Sequence, residues 1–235
     1  MFNHVKSLKG CTLDGLDGEI GDVREFYFDD RYWAIRYLVA DTGNWLKGRQ
    51  VLISPYALPA AIKEEQPIAI GLTQKQIEDS PLLDNDMPVS RQFEEAYYGY
   101  YGWPPYWKGS QLWGPYPNLV REPDKWKESA QGAKSCDLHL LRTADMYHCH
   151  IQAEQGEIGN VDDMIIDDET WAIRYLVIDT QKWWPGKKVL VSPQWIKLAD
   201  WVDSNVVVNL PNEIPEYDEV HHDQHPHKTR LHESH

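Results

Sequence analysis

The chain has 235 residues, 42% hydrophobic and 12% aromatic, enough to fill packed cores and to exclude wholesale disorder. Its 37 acidic against 23 basic side chains give a formal net charge of −14, which excludes phosphate-led nucleic-acid binding and docking on an anionic lipid face by a basic patch. No apolar run approaches the ~18 residues that cross a bilayer, residues 1–13 lack the apolar core of a secretory leader, and the three cysteines show no CxxC spacing. The expectation is a cytoplasmic protein without a transmembrane segment.

Early in the chain, Gly18-Glu19-Ile20-Gly21 opens a β pattern. Residues 20–28 read as a strand, Asp29-Asp30 as its turn, and the stretch from Trp33 to Val39 as the next strand: Trp33, Ile35, Tyr37 and Val39 alternate with Ala34, Arg36 and Leu38, the period of two that defines a strand. Asp41-Thr42-Gly43 is a further turn. Residues 50–54 form a short strand that Pro55 must end, because proline cannot donate to a central ladder. Ile68-Ala69-Ile70 supplies a late strand, and residues 73–79 predict a short helix with Thr73 as N-cap.

The same text returns after the middle of the chain. Gly156-Glu157-Ile158-Gly159, Trp171-Ala172-Ile173-Arg174-Tyr175-Leu176-Val177, Asp179-Thr180, Ser192-Pro193 and Val206-Val207-Val208 all stand 138 residues beyond their counterparts. From position 18 to 55, 22 of 38 residues are identical to their partners, so the chain is an internal duplication. Glycines held in both copies (Gly18, Gly21, Gly156, Gly159) read as turn or bulge positions, since a strand follows where a phosphate loop would need a helix. Arg36 and Arg174 read as structural residues that pair with a carboxylate such as Asp29 or Asp167; the competing reading is an anion hook toward a partner. Cys11 and Cys149 are equivalent and read as small buried groups rather than a disulfide.

Between the copies lies a connector loaded with rings and prolines. Residues 91–100 predict a short helix, and beyond Gly102 the prolines enforce extended or turning chain. Tyr100, Tyr101, Trp103, Tyr106, Trp107 and Trp113 are candidate partner-binding residues, because Tyr and Trp dominate interface hot spots. The alternative, slightly favoured because so much exposed ring area invites aggregation, is that they seal an intramolecular interface. His148 and His150 flank Cys149, and the tail carries His221, His222, His225 and His227. Both are weak metal candidates, since imidazole suits Zn, Ni or Cu: an exposed strand face explains the His148/His150 pair equally well, and a solvated tail is the favoured reading of the C-terminal histidines.

The run from GEIG through WAIRYLV and DT to the SP dipeptide resembles the PRC-barrel family, over roughly residues 5–75 and 140–212. That family includes the cytoplasmic domain of the photosynthetic reaction-centre H subunit and the C-terminal domain of a ribosome-maturation factor. The connector is similar to the segment that follows such barrels in bacterial tandem PRC-barrel proteins. The resemblance implies a mainly β chain of two small PRC-type barrels: 1–80 the first, 81–137 the connector, 138–215 the second, and 216–235 a disordered His-rich tail. It also implies an adaptor that contacts other proteins. No catalytic triad, HExxH, Walker loop or dinucleotide fingerprint is present, so neither an enzyme nor a cofactor is expected. The leading expectation is a scaffolding protein with a protein partner, and self-association is compatible with it. The alternatives are an accessory subunit of a membrane electron-transfer complex, peripherally attached, and metal binding through the tail.

Overall fold

A computed structural model describes residues 1–47, 49–62, 66–83, 88–126, 140–147, 149–154, 156–180, 187–201, 203–210 and 216–217. His148 and the tail histidines His221, His222, His225 and His227 lie outside the described residues, as do Cys136 and most of residues 211–235. The protein is mainly β, and its described strands hydrogen-bond into an open sheet rather than a closed ring.

Elements follow the sequence pattern closely. The first copy contributes β1 (Phe2–His4), α1 (Val5–Leu8), β2 (Thr12–Gly15), β3 (Gly18–Asp29), β4 (Ala34–Asp41), β5 (Val51–Ile53) and β6 (Ile68–Ala69). Next come α2 (Gln74–Glu78) and the connector helix α3 (Arg91–Tyr101). The second copy contributes β7 (Leu140–Arg142), α4 (Thr143–Met146), β8 (His150–Ala153), β9 (Gly156–Asp167), β10 (Ala172–Asp179), β11 (Lys188–Val191), β12 (Ile196–Asp200) and β13 (Asn205–Val208), followed by β14 (Glu216–Tyr217). The 138-residue offset carries β1 onto β7, α1 onto α4, and β2, β3 and β4 onto β8, β9 and β10, residue for residue. Among the described residues, β12 and β14 have no strand opposite them in the first copy.

Local chemistry explains the boundaries. Asp29 accepts the Tyr32 amide at 2.7 Å, and Asp167 accepts the Glu169 amide at 3.1 Å and the Thr170 hydroxyl at 2.9 Å, so each hairpin turn is tied by its own aspartate. Ser54-Pro55 and Ser192-Pro193 end β5 and β11 in single 3-10 turns. Thr73 caps α2 in a reciprocal capping box with Gln76. Gly21 and Gly159 are required by close approach: a Cβ there would stand 2.0 Å from the Asp41 carbonyl oxygen and 1.9 Å from that of Asp179. Gly18 and Gly156 hold φ of 149° and 121°, open to glycine and strained for other residues.

The chain divides into two compact units, one of Met1–Asp145 with Ile165–Ile173, the other of Met146–Met164 with Arg174–His235. These do not follow the boundaries expected from the repeat. The connector packs on the first copy, and two pieces of the second copy belong to the first unit. Within that unit the ladder runs β6-β2-β3-β4-β5, with β2–β6 parallel and the rest antiparallel. Leu13, Ile20, Phe26, Phe28, Ile35 and Leu38 form its fully buried centre, each contributing about 1.5–3 kcal/mol of burial. In the second unit the run is β12-β13-β8-β9-β10-β11-β14, around Ile151, Leu176, Ile178, Val191 and Val206.

The two pieces of the second copy are exchanged symmetrically inside the first unit. β1 pairs with residues 165–167 at the end of β9, while β7 pairs with residues 27–29 at the end of β3, in the same register under the 138-residue offset. At the hairpin tips the Ile35 amide donates to the Trp171 carbonyl at 2.8 Å, and the Ile173 amide donates to the Trp33 carbonyl at 2.6 Å. Trp33 and Trp171 pay for this with left-handed backbones, φ 52° and 58°, a conformation costing about 1–2 kcal/mol in a residue with a side chain.

Candidate functional site

The feature that stands out chemically is the cover that the connector lays over the first copy. Ser90 caps α3 by accepting the Phe93 amide at 3.2 Å, and Gly102 ends it in the left-handed conformation at φ 71°. Between these caps Glu94, Tyr97 and Tyr98 fall at i, i+3 and i+4, one face of the helix, and all three are buried. The Tyr97 hydroxyl donates to the Leu52 carbonyl at 2.8 Å and receives the Ser54 amide at 3.2 Å; the Tyr98 and Ser54 hydroxyls share a hydrogen bond at 3.3 Å. Tyr56 lies among Tyr98, Trp103, Trp113 and Trp126, with ring centroids 5.4–6.2 Å apart. Such ring pairs each add about 0.5–1.5 kcal/mol beyond burial.

Beneath this cover sits a buried charge cluster. Arg36 is fully enclosed, its Nε pairs with Asp29, and its guanidinium carbon stands 4.1 Å from the Tyr106 ring centre and 4.7 Å from that of Trp113. Its two terminal nitrogens have no hydrogen-bond acceptor among the described residues, so the ring faces take that place. Glu94 accepts from Tyr37 at 2.9 Å and from Tyr106, and pairs with Arg91 at 2.6 Å. Burial pushes its carboxyl above the usual carboxylate range, against the Tyr106 hydrogen bond and the Arg91 charge. Burial likewise holds the Tyr37, Tyr97, Tyr98 and Tyr106 phenols well above theirs, so they act as neutral donors.

The six candidate partner-binding rings separate accordingly. Tyr106, Trp107 and Trp113 are buried, and Trp113 donates its Nε1 to the Thr170 carbonyl at 2.8 Å, so they are internal packing and not a presented surface. Tyr101 and Trp103 are half-buried and stacked on each other at 4.4 Å, and Tyr100 stays 43% exposed. Identical context did not give Arg36 and Arg174 identical surroundings: Arg36 is enclosed with Asp29 under the connector rings Tyr106 and Trp113, whereas Arg174 is exposed. His150 is exposed with its Nδ1 3.3 Å from Glu157, and no group of three metal-ligating side chains occurs among the described residues. Cys11 and Cys149 are free thiols, half-buried and buried respectively.

Glu94 escaped the sequence reading, although its signal was there: one acid three and four positions before two tyrosines on an amphipathic helix. Asp168 escaped it too. This fully buried carboxylate receives the Ile62 amide at 2.9 Å and the Asn3 side chain at 3.2 Å, partners 106 and 165 residues distant, which no local pattern reveals.

Residues 141–213 match the PRC-barrel domain family, which places the second copy in that class of β domain. No curated protein matches the chain. Among the described residues no helix is long and apolar enough to cross a membrane.

Proposed function

We propose that this protein is a non-enzymatic interaction scaffold built from two PRC-type barrels, the first copy sharing the fold of the matched second. The recurrence of strands and helices at a constant offset of 138 residues carries this reading, because the matched segment's element order is repeated in residues that the family match does not reach. PRC-barrel domains are in general of the protein-interaction type. Buried carboxylates and phenols here serve packing: Glu94 and Asp29 are each saturated by partners inside the fold and hold no open position for a substrate. A cytoplasmic location, a role beside a membrane electron-transfer complex and metal binding by the tail rest on the sequence alone. Cross-linking followed by affinity purification of the protein from its native host tests the scaffold reading. Recovery of a partner in near-stoichiometric amount is the expected result; recovery of none above background overturns it.

A further inference from the structure

The buried cluster of the first copy has more donors than acceptors. Arg36 is 0% exposed and uses only its Nε in a hydrogen bond, to Asp29, while both terminal nitrogens are enclosed without an acceptor among the described residues. The Tyr32 and Tyr56 hydroxyls are likewise enclosed and unpaired among the described residues, and Tyr56 as a whole is 7% exposed. These groups are neighbours. The Arg36 guanidinium carbon stands 4.7 Å from the Trp113 ring centre and 5.9 Å from that of Tyr32, and the ring centres of Tyr56 and Trp113 are 5.4 Å apart. Burial raises the Tyr56 phenol above its ordinary value, and the Arg36 and Arg121 charges act on it in the opposite sense. The ring faces of Tyr106 and Trp113 take up the Arg36 charge, but a ring face is a weak acceptor and does not satisfy each N–H of the two nitrogens. Leaving such donors unpaired is costly, most of all on a charged group.

We propose that Arg36, Tyr56 and Tyr32 hold a small monovalent anion, a halide or a carboxylate of formate size, on the Arg36 terminal nitrogens beneath the connector rings. The inference goes beyond the scaffold reading and stands without it. The donors present favour an anion over water. The guanidinium has no acceptor to offer and each phenol has a proton to give, so a ligand that only accepts suits them all, whereas a water must also place its own protons. Paired terminal nitrogens in a fixed plane match the two oxygens of a carboxylate or straddle a single halide. Charge sets the valence. Arg36 and Arg91 stand 4.1 Å and 6.0 Å from the Tyr106 ring centre, Asp29 balances one of these cations, and burial favours the protonated form of Glu94, so a single negative charge balances the other. The second copy lacks the set: Thr170 stands at the position of Tyr32, Gln194 at that of Tyr56, and Arg174 is exposed. The site belongs to the first copy alone.

The full chain in sodium gluconate, an anion too large for an enclosed site, is titrated with sodium chloride and separately with sodium formate at constant ionic strength, and its thermal midpoint is followed. A saturable rise with either anion is the expected result, because a ligand that binds only the folded form stabilises it. Arg36→Ala would strip buried Asp29 of its cation and so test folding, which is why the variants remove hydroxyls only. In gluconate Tyr56→Phe should be at least as stable as wild type, since it deletes an unpaired buried hydroxyl. It should bind the stabilising anion about tenfold more weakly, the loss of one hydrogen bond to a charged group, and Tyr32→Phe should behave alike. Crystals grown in sodium bromide should show an anomalous peak within hydrogen-bond reach of the Arg36 terminal nitrogens. Midpoints indifferent to the anion, a rise that never saturates, a rise equal in both variants and wild type, or a bromide peak elsewhere overturns the site. A water at Arg36 with no bromide peak overturns it as well.

Discussion

Arg36 and Arg174 occupy the same word of the sequence, WAIRYLV, yet differ in what their loss should cost. Removing Arg36 leaves Asp29 buried without its cation, a change of about 3–5 kcal/mol for a broken buried pair. Removing exposed Arg174 belongs with surface substitutions, within about 0.5 kcal/mol. Urea denaturation of Arg36→Ala and Arg174→Ala measures both, and equal losses would contradict the environments described. The alternation of the strand was legible, and so was the choice of Asp29 as a partner. Which arginine became enclosed was not, since both have the same neighbours in sequence and differ only in what a distant segment lays over them. The twin glycines show the opposite case. Gly21 and Gly159 are explained by a contact that both copies make with the Asp41 and Asp179 carbonyls, so the repeat itself flagged them.

At the level of elements, α3 is where the first copy differs from the second. Its extent was readable from Gly102 and the prolines that follow, whereas Ser90, the residue that caps it, was not singled out. The burial of the helix was not readable, because amphipathic aromatic helices serve equally as internal cover and as external bait. Glu94 ties the helix to β4, and its raised carboxyl makes that tie dependent on pH. The folded form keeps the Glu94 proton at pH values where the unfolded chain, near the ordinary carboxyl value of 4.5, has released it. The unfolded state then binds fewer protons than the folded one, so stability falls as pH rises through that window and is greatest below it. Glu94→Gln cannot titrate. The stability of wild type relative to Glu94→Gln should decline as pH rises from about 4.5 toward neutrality, which denaturation at a series of pH values reads directly; parallel curves would remove Glu94 as the cause. The other short helix, α2, was legible to its capping residue because the capping box is written in four consecutive positions.

For the whole molecule, the exchanged segments make the first unit depend on residues that come late in the chain. Residues 140–142 extend β3, residues 165–167 pair with β1, and Ile173 and Trp171 bond to Trp33 and Ile35. A chain ending at residue 139 loses those partners and leaves the left-handed Trp33 backbone without the bond that offsets it. Its thermal midpoint should fall well below the first transition of the full chain when both are followed by circular dichroism; coincident midpoints would show that the first copy completes its own fold.

By itself the sequence determined the duplication, the strand-and-turn order of each copy, the Thr73 cap of α2 and the β class, because each is written in short periods, neighbouring residues or literal repetition. It also limited the search for function to positions where the two copies differ. Only the tertiary structure decided that second-copy segments complete the first unit and that the connector encloses Arg36 while Arg174 stays in solvent. It likewise decided that Glu94 and Asp168 are buried hubs. These depend on contacts across tens to more than a hundred residues, where burial is set by which surface a distant segment covers rather than by the identity of the residue covered.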